Sequence, residues 1–143
     1  MFTSPNYTTL DLSFLKNNGK ESYDVIRSVG KMMAENQGRV RTWNIEHASY
    51  TPARMYWTAR DNRTGKTYIF HAPGFSIMVK GAAFQGGLMI FRNKVGEYFI
   101  FRFNDEKHTV TPTPFVKEDQ LIATIDRLIN GFPMYIQQNK FNS

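Results

Sequence analysis

The chain has 143 residues, a formal net charge of +6, 41% apolar residues and 15% aromatics, so it can fill one core and is not compositionally disordered. It contains no cysteine, which excludes a disulfide scaffold, a thiolate zinc site and a cysteine nucleophile. The first residues lack the pattern of a secretory signal, and no stretch reaches the roughly 18 apolar residues of a membrane span. A cytoplasmic protein with no membrane association is expected. The Asn-x-Thr triplets at Asn6 and Asn62 are then incidental.

Residues 1–20 read as an extended arm that ends in the Asn17-Asn18-Gly19 turn. A helix is predicted over 21–37: Ser22 is a candidate N-cap, Val25, Ile26, Val29, Met32 and Met33 recur at helical spacing, and Gly38 is a natural stop. From 39 to 111 the apolar period becomes two, which predicts an antiparallel sheet. Arg41, Trp43, Ile45 and His47 share one side of a first strand. In the next, Arg54, Tyr56, Thr58 and Arg60 oppose Met55, Trp57 and Ala59. A hairpin loop over 61–66 leads to a strand at 67–71, and Ala72-Pro73-Gly74 turns into another at 75–80. A glycine-flanked loop over 81–87 precedes a strong hairpin, 88–92 and 97–103, around Asn93-Lys94-Val95-Gly96. The last strand, 108–111, is stopped by Pro112 and Pro114. A second helix is predicted over 117–130, with a Leu121, Ile122, Ile125, Leu128, Ile129 stripe and Gly131 as its cap; 132–143 form a tail. The expected fold is a single α+β domain: a twisted antiparallel sheet of six to seven strands, with an N-terminal and a C-terminal helix on one face. The Phe99-Phe101-Phe103 stripe is expected to lie under those helices.

Motifs for chemistry are weak. Gly65-Lys66-Thr67 resembles the end of a phosphate-binding loop, but Arg60 stands where its first glycine belongs, and strands flank it where a helix is required. His47, His71 and His108 show no ligand spacing, although His71 and His108 could meet across the sheet, so neither a metal nor another cofactor is expected. Ser76 is not in a nucleophile elbow, and Asp105-Glu106-Lys107 reads as a turn. The expectation is therefore a non-enzymatic protein, with a nuclease as the remaining catalytic alternative.

Charge points elsewhere. Between Arg39 and His108 eleven Lys and Arg face five acids, so this segment carries the entire excess. Basic residues interleave there with aromatics, which suits nucleic acid: guanidinium groups hold phosphates and rings stack on bases. Arg39, Arg41, Arg54, Arg60, Arg92, Lys94 and Arg102 are the candidate phosphate contacts, and Trp43, Tyr56 and Tyr98 the candidate stacking residues. The expected partner is DNA or RNA, single-stranded preferred, with homodimerisation left open. The alternative is a compact phage-type inhibitor that sequesters a host protein or a nucleotide, with Phe84 in the glycine-bracketed loop stacking on the base.

Gly96 to Phe103 superficially resembles the aromatic strand of RNA-recognition domains, but Glu97 occupies the first stacking position. Four strands followed by a helix, Phe75 to Gly131, are similar in topology to single-strand binders of the Whirly and Pur type, without a shared residue motif. No family is assigned on either resemblance.

Overall fold

The structure is a computed structural model that describes residues 7–16, 19–46, 50–104 and 109–131. It has six antiparallel strands in the spatial order of the sequence: β1 (Tyr7–Lys16), β2 (Thr51–Asp61), β3 (Thr67–Lys80), β4 (Gln85–Arg92), β5 (Tyr98–Asn104) and β6 (Thr109–Val116). Helices α1 (Lys20–Ala34) and α2 (Gln37–Arg41) lie between β1 and β2, and α3 (Leu121–Asn130) follows β6 after one 3₁₀ turn. The α+β architecture agrees with the sequence reading, and the sheet is not closed.

In α1, Val25, Val29 and Met33 recur every four residues and are buried together. The helix starts after Gly19; Ser22 is not its cap but lies buried in the first turn, where its hydroxyl donates to the Ala53 carbonyl at 2.9 Å. In α3, Leu121, Ile122, Ile125 and Ile129 make the equivalent stripe, and Gly131, at φ 76°, ends the helix. Both stripes join Phe75, Ile77, Val79, Leu88, Ile90, Tyr98 and Ile100 in one core.

The other face of the sheet carries a second core of Met55, Ala72, Phe91, Phe99 and Phe101, with Phe14, Trp57, Met89 and Phe115 packed around it. This corrects the expected assignment of faces. The helices cover the aliphatic face that holds Tyr98 and Ile100, and the phenylalanine stripe lies opposite. Phe99 and Phe101 are buried and Phe103 partly so, because the sheet curls on itself: Phe14 of β1 stacks on Phe91 of β4 at 5.6 Å and meets Phe101 of β5 edge-on at 5.0 Å.

Four other boundaries differ from expectation. The N-terminal arm contains a ten-residue strand, β1, paired along β2. The described part of the expected first strand, 39–46, is not a strand; it begins in α2 and continues as coil, from which Trp43 accepts the Lys80 N–H and Glu46 donates to the Met78 carbonyl. His47 and His108 lie outside the described residues. β6 runs through both Pro112 and Pro114, as an edge strand permits, since among the described residues no further strand needs their missing N–H.

The fourth difference shapes the molecule. Ala72-Pro73-Gly74 is not a turn but the middle of the 14-residue β3. β2 pairs with β3 over Thr67–Ser76, whereas β4 pairs with it only over Gly74–Lys80. Gly74 marks the change of partner: a Cβ there would fall onto the Ile90 carbonyl and within 2.7 Å of the Phe91 Cα. Gly74→Ala should therefore cost about 1–3 kcal/mol through overpacking against backbone that cannot yield. Gly30→Ala, on the exposed side of α1 with nothing within 4 Å, should instead stabilise by about 0.5–1 kcal/mol. Denaturant melts of the two variants check both signs.

Candidate functional site

The structure separates the residues that the sequence grouped. Trp43 is fully buried, and its indole N–H donates to Asp126 of α3 at 2.9 Å, so it cannot stack on a base. Tyr98 is fully buried as well. Burial raises its hydroxyl above the ordinary 10.0; the adjacent Arg92 guanidinium pulls the other way, and Glu118 adds to the rise. Arg92 donates to Ser28 of α1 at 3.1 Å. Arg102 is half-buried, with its guanidinium 5.9 Å from the centre of the Phe84 ring. Phe84 itself packs against the helix-side core, and its loop is tied to α3, where Ala83 and Phe84 both donate to the Ile129 carbonyl. The glycine-bracketed loop thus anchors a helix. Arg39 and Arg41 are exposed, but on α2, beside the Met78–Lys80 end of β3.

Arg54, Tyr56 and Arg60 share one face of β2, and their partners in register on β3 are Pro73, His71 and Thr67. Arg54 also approaches Glu21 of α1 at 3.7 Å. Its guanidinium lies 2.7 Å from His71 Nδ1. Because guanidinium only donates, Nδ1 accepts, which leaves the imidazole Nε2–H as a donor. Tyr56 tilts over the same imidazole at 6.1 Å.

Where β3 changes partner, a gap opens. β4 ends at Arg92 and turns back through Asn93–Gly96, so among the described residues no strand lies beside β3 from Thr67 to Pro73 on that side. The cavity there has a volume of about 580 Å³, within the range of small-molecule sites. Four rings wall it. Phe70 stacks on Trp57 at 5.4 Å with only 15° between planes, Phe99 meets Phe115 edge-on at 5.2 Å, and Trp57 stands 6.1 Å from Phe99. Phe115 has a left-handed φ of 58° next to a register shift between β5 and β6, an irregularity of the kind that re-aims a side chain. Ala59, Ile69, His71, Asn93, Lys94 and Val95 also line it, and among the described residues the lining holds no carboxylate.

The surroundings are cationic. Arg60, Lys66 and Lys94 are exposed, as is Arg63. The one acid of the 61–66 hairpin loop, Asp61, is buried and accepts the Arg63 N–H at 2.9 Å. A smaller hollow on the α1 side shares His71, Asn93 and Lys94 with the gap, but there Glu21 and Asp24 offset Arg92 and Lys94. Polyanion chemistry therefore favours the aromatic side. Among the described residues, no three His, Asp or Glu gather to hold a metal, and no helix is long and apolar enough to cross a membrane.

Of the candidates named from sequence, only Lys94 is among the described residues that line this gap, whereas Arg60 and Tyr56 lie on the opposite face of β2 from its Trp57 and Ala59; Trp57, Phe70, Phe99 and Phe115 were not named for binding. Three exposed apolar residues in succession, Tyr68-Ile69-Phe70, were the available signal.

The Tyr98 shift has a consequence in alkali. A group with a raised folded-state value contributes its full stability below the unfolded value, and that contribution is lost as pH climbs from about 10 through the folded value. Tyr98→Phe should accordingly lose less stability than the native chain above about pH 10, as read by urea melts across pH. Identical alkaline slopes contradict the assignment. No protein-family model, curated protein or solved structure matches the chain.

Proposed function

We propose that the protein is a non-enzymatic nucleic-acid binder whose interface is the β2–β3 end of the sheet. The observation that carries this reading is the composition of the gap: among the described residues its lining has four aromatic rings, a lysine, a histidine and no carboxylate, and the adjoining 61–66 hairpin carries exposed Arg63 and Lys66. Aromatic faces stack on bases at about 1–3 kcal/mol each, and Lys or Arg neutralises phosphates with release of counterions. Arg60, Arg63, Lys66 and Lys94 supply the phosphate contacts. Tyr68 and Phe70, each 40% exposed, present ring surface to the strand.

A second reading has its own observation. Ile69 and Val95 both line the gap, at 72% and 77% exposure, which suits an apolar side chain of a protein partner. Such a partner would make the chain an interaction or inhibitor protein.

Salt dependence separates the two. For a single strand the slope of log K against log salt is about −0.7 per phosphate neutralised, so four contacts give about −3. Each of Arg60→Ala, Lys66→Ala and Lys94→Ala should weaken binding and reduce the slope by about 0.7. Arg39→Ala with Arg41→Ala, about 30 Å away along β3, should change neither. Fluorescence anisotropy with labelled oligonucleotides measures this; binding that is absent at low salt, or that lacks a slope, contradicts the reading.

A further inference from the structure

We infer that the open edge of β3, Thr67 to His71, takes up an extended acidic segment of a partner protein as an added strand. This inference rests on the second of the two readings above, an interaction protein, and states the form of its partner.

The hydrogen bonds of β3 fix which residues point to that edge. Across the hairpin, the Asp61 N–H donates to the Lys66 carbonyl at 2.8 Å. Further along, β4 occupies one edge of β3, and the coil before β2 occupies the other. There the Glu46 N–H donates to the Met78 carbonyl at 2.9 Å, and the Lys80 N–H to the Trp43 carbonyl at 2.8 Å. Lys66, Met78 and Lys80 therefore turn their backbone groups to the β2 side. Successive residues of a strand alternate, so Thr67, Ile69 and His71 turn theirs to the opposite edge. Pairing with β4 begins only at Gly74, and among the described residues no strand meets these three N–H and three C=O groups.

Such an edge is a template for another strand. All five residues from Thr67 to His71 are exposed, and the stretch holds neither a proline nor a Lys, Arg, Asp or Glu to discourage pairing. A volume of about 580 Å³ lies open beside it, and an added strand needs a lateral spacing of about 4.7–4.9 Å. Only a polypeptide supplies a main-chain ladder of matching repeat.

Charge and exposure select the occupant. Arg63 and Lys66 lie at the hairpin end of the edge, and Lys94 shares both hollows that His71 lines. Acids flanking the added strand meet these cations, and an apolar centre covers Ile69 and Val95. A second copy of this chain fits worse. Antiparallel pairing of two such edges about Ile69 brings Lys66 of each chain toward Lys94 of the other, a repulsive arrangement.

Amide hydrogen exchange on the free chain is the first measurement. Ile69 and His71 should exchange at least about tenfold faster than Phe70 and Ala72, whose N–H groups face β2. Slow exchange at both means that the edge is already paired and overturns the inference. A displayed library of 12-residue peptides is then selected on the full chain, and the enriched peptide is synthesised with single backbone N-methyl groups at successive positions. The expected peptide carries acids around an apolar centre. Methylation at every second position should weaken binding at least about tenfold, and the positions between should tolerate it. Ile69→Pro removes an N–H that β2 does not use, so the variant should fold and lose the peptide, whereas Ile69→Val keeps it. Peptides without acids, methylation effects without alternation, or unchanged affinity for Ile69→Pro overturn the acidic strand yet leave side-chain recognition of a protein standing. If no peptide is enriched, the interaction reading itself falls. A dimer of the free chain that Ile69→Pro dissociates assigns the edge to a second copy and equally overturns the inference. The methylation series needs no variant, so an Ile69→Pro chain that fails to fold does not spare it.

Discussion

The arrangement depends on one close approach, that of the Gly74 backbone in β3 to Ile90 and Phe91 in β4. Only a residue without Cβ lets β4 come this near in mid-strand, and there β3 gains β4 as a second neighbour on its other edge. Up to Pro73 the strand is paired with β2 alone, Gly74–Ser76 is paired with both β2 and β4, and from Ile77 on it is paired with β4 alone. Pro73, with no N–H to offer, stands immediately before that point, where no β4 carbonyl is in register to receive one.

The two halves fold toward each other across this joint, and two separate cores result. The aliphatic face takes α1 and α3, whose branched side chains interlock with Ile77, Val79, Leu88 and Ile90. The aromatic face covers itself, with Phe14 from the first strand packed against Phe91 and Phe101. Self-covering is incomplete at the end where β4 has already turned back. The rings left there, Trp57, Phe70, Phe99 and Phe115, wall the gap instead of closing it. Cavity, open strand edge and proposed recognition surface thus have one structural cause. The contrast with β6 is instructive, because that edge carries two prolines, which discourage further strand pairing, whereas Ile69–His71 has no such protection.

Much of this was legible in the sequence, and the failures have identifiable reasons. The helical stripes of α1 and α3, the 61–66 and 93–96 hairpins and the face shared by Arg54, Tyr56 and Arg60 follow directly from periodicity and turn residues. Alternation also separated Phe99 and Phe101 from Tyr98 and Ile100, but it could not say which face the helices choose. Both faces are apolar, and the outcome turns on how the sheet brings Phe14 of β1 against Phe91 and Phe101, a tertiary feature. Ala72-Pro73-Gly74 has the composition of a turn; only the register with two different neighbours makes it a continuous strand. Trp43 misled because Arg39, Arg41 and Trp43 alternate like a strand, whereas α2 and its hydrogen bond to Asp126 bring the indole into the core. The site suffered most. Its walls come from four different strands, so no local motif could have announced them.

The most direct test of the central claim is an amide chemical-shift map of the isotope-labelled chain titrated with a single-stranded oligonucleotide. The account predicts shifts concentrated at Trp57 to Arg60, Lys66 to His71, Asn93 to Val95, Phe99 and Phe115, with Arg39 and Arg41 silent. Shifts centred on α2, or a spectrum that does not move at low salt, would contradict it.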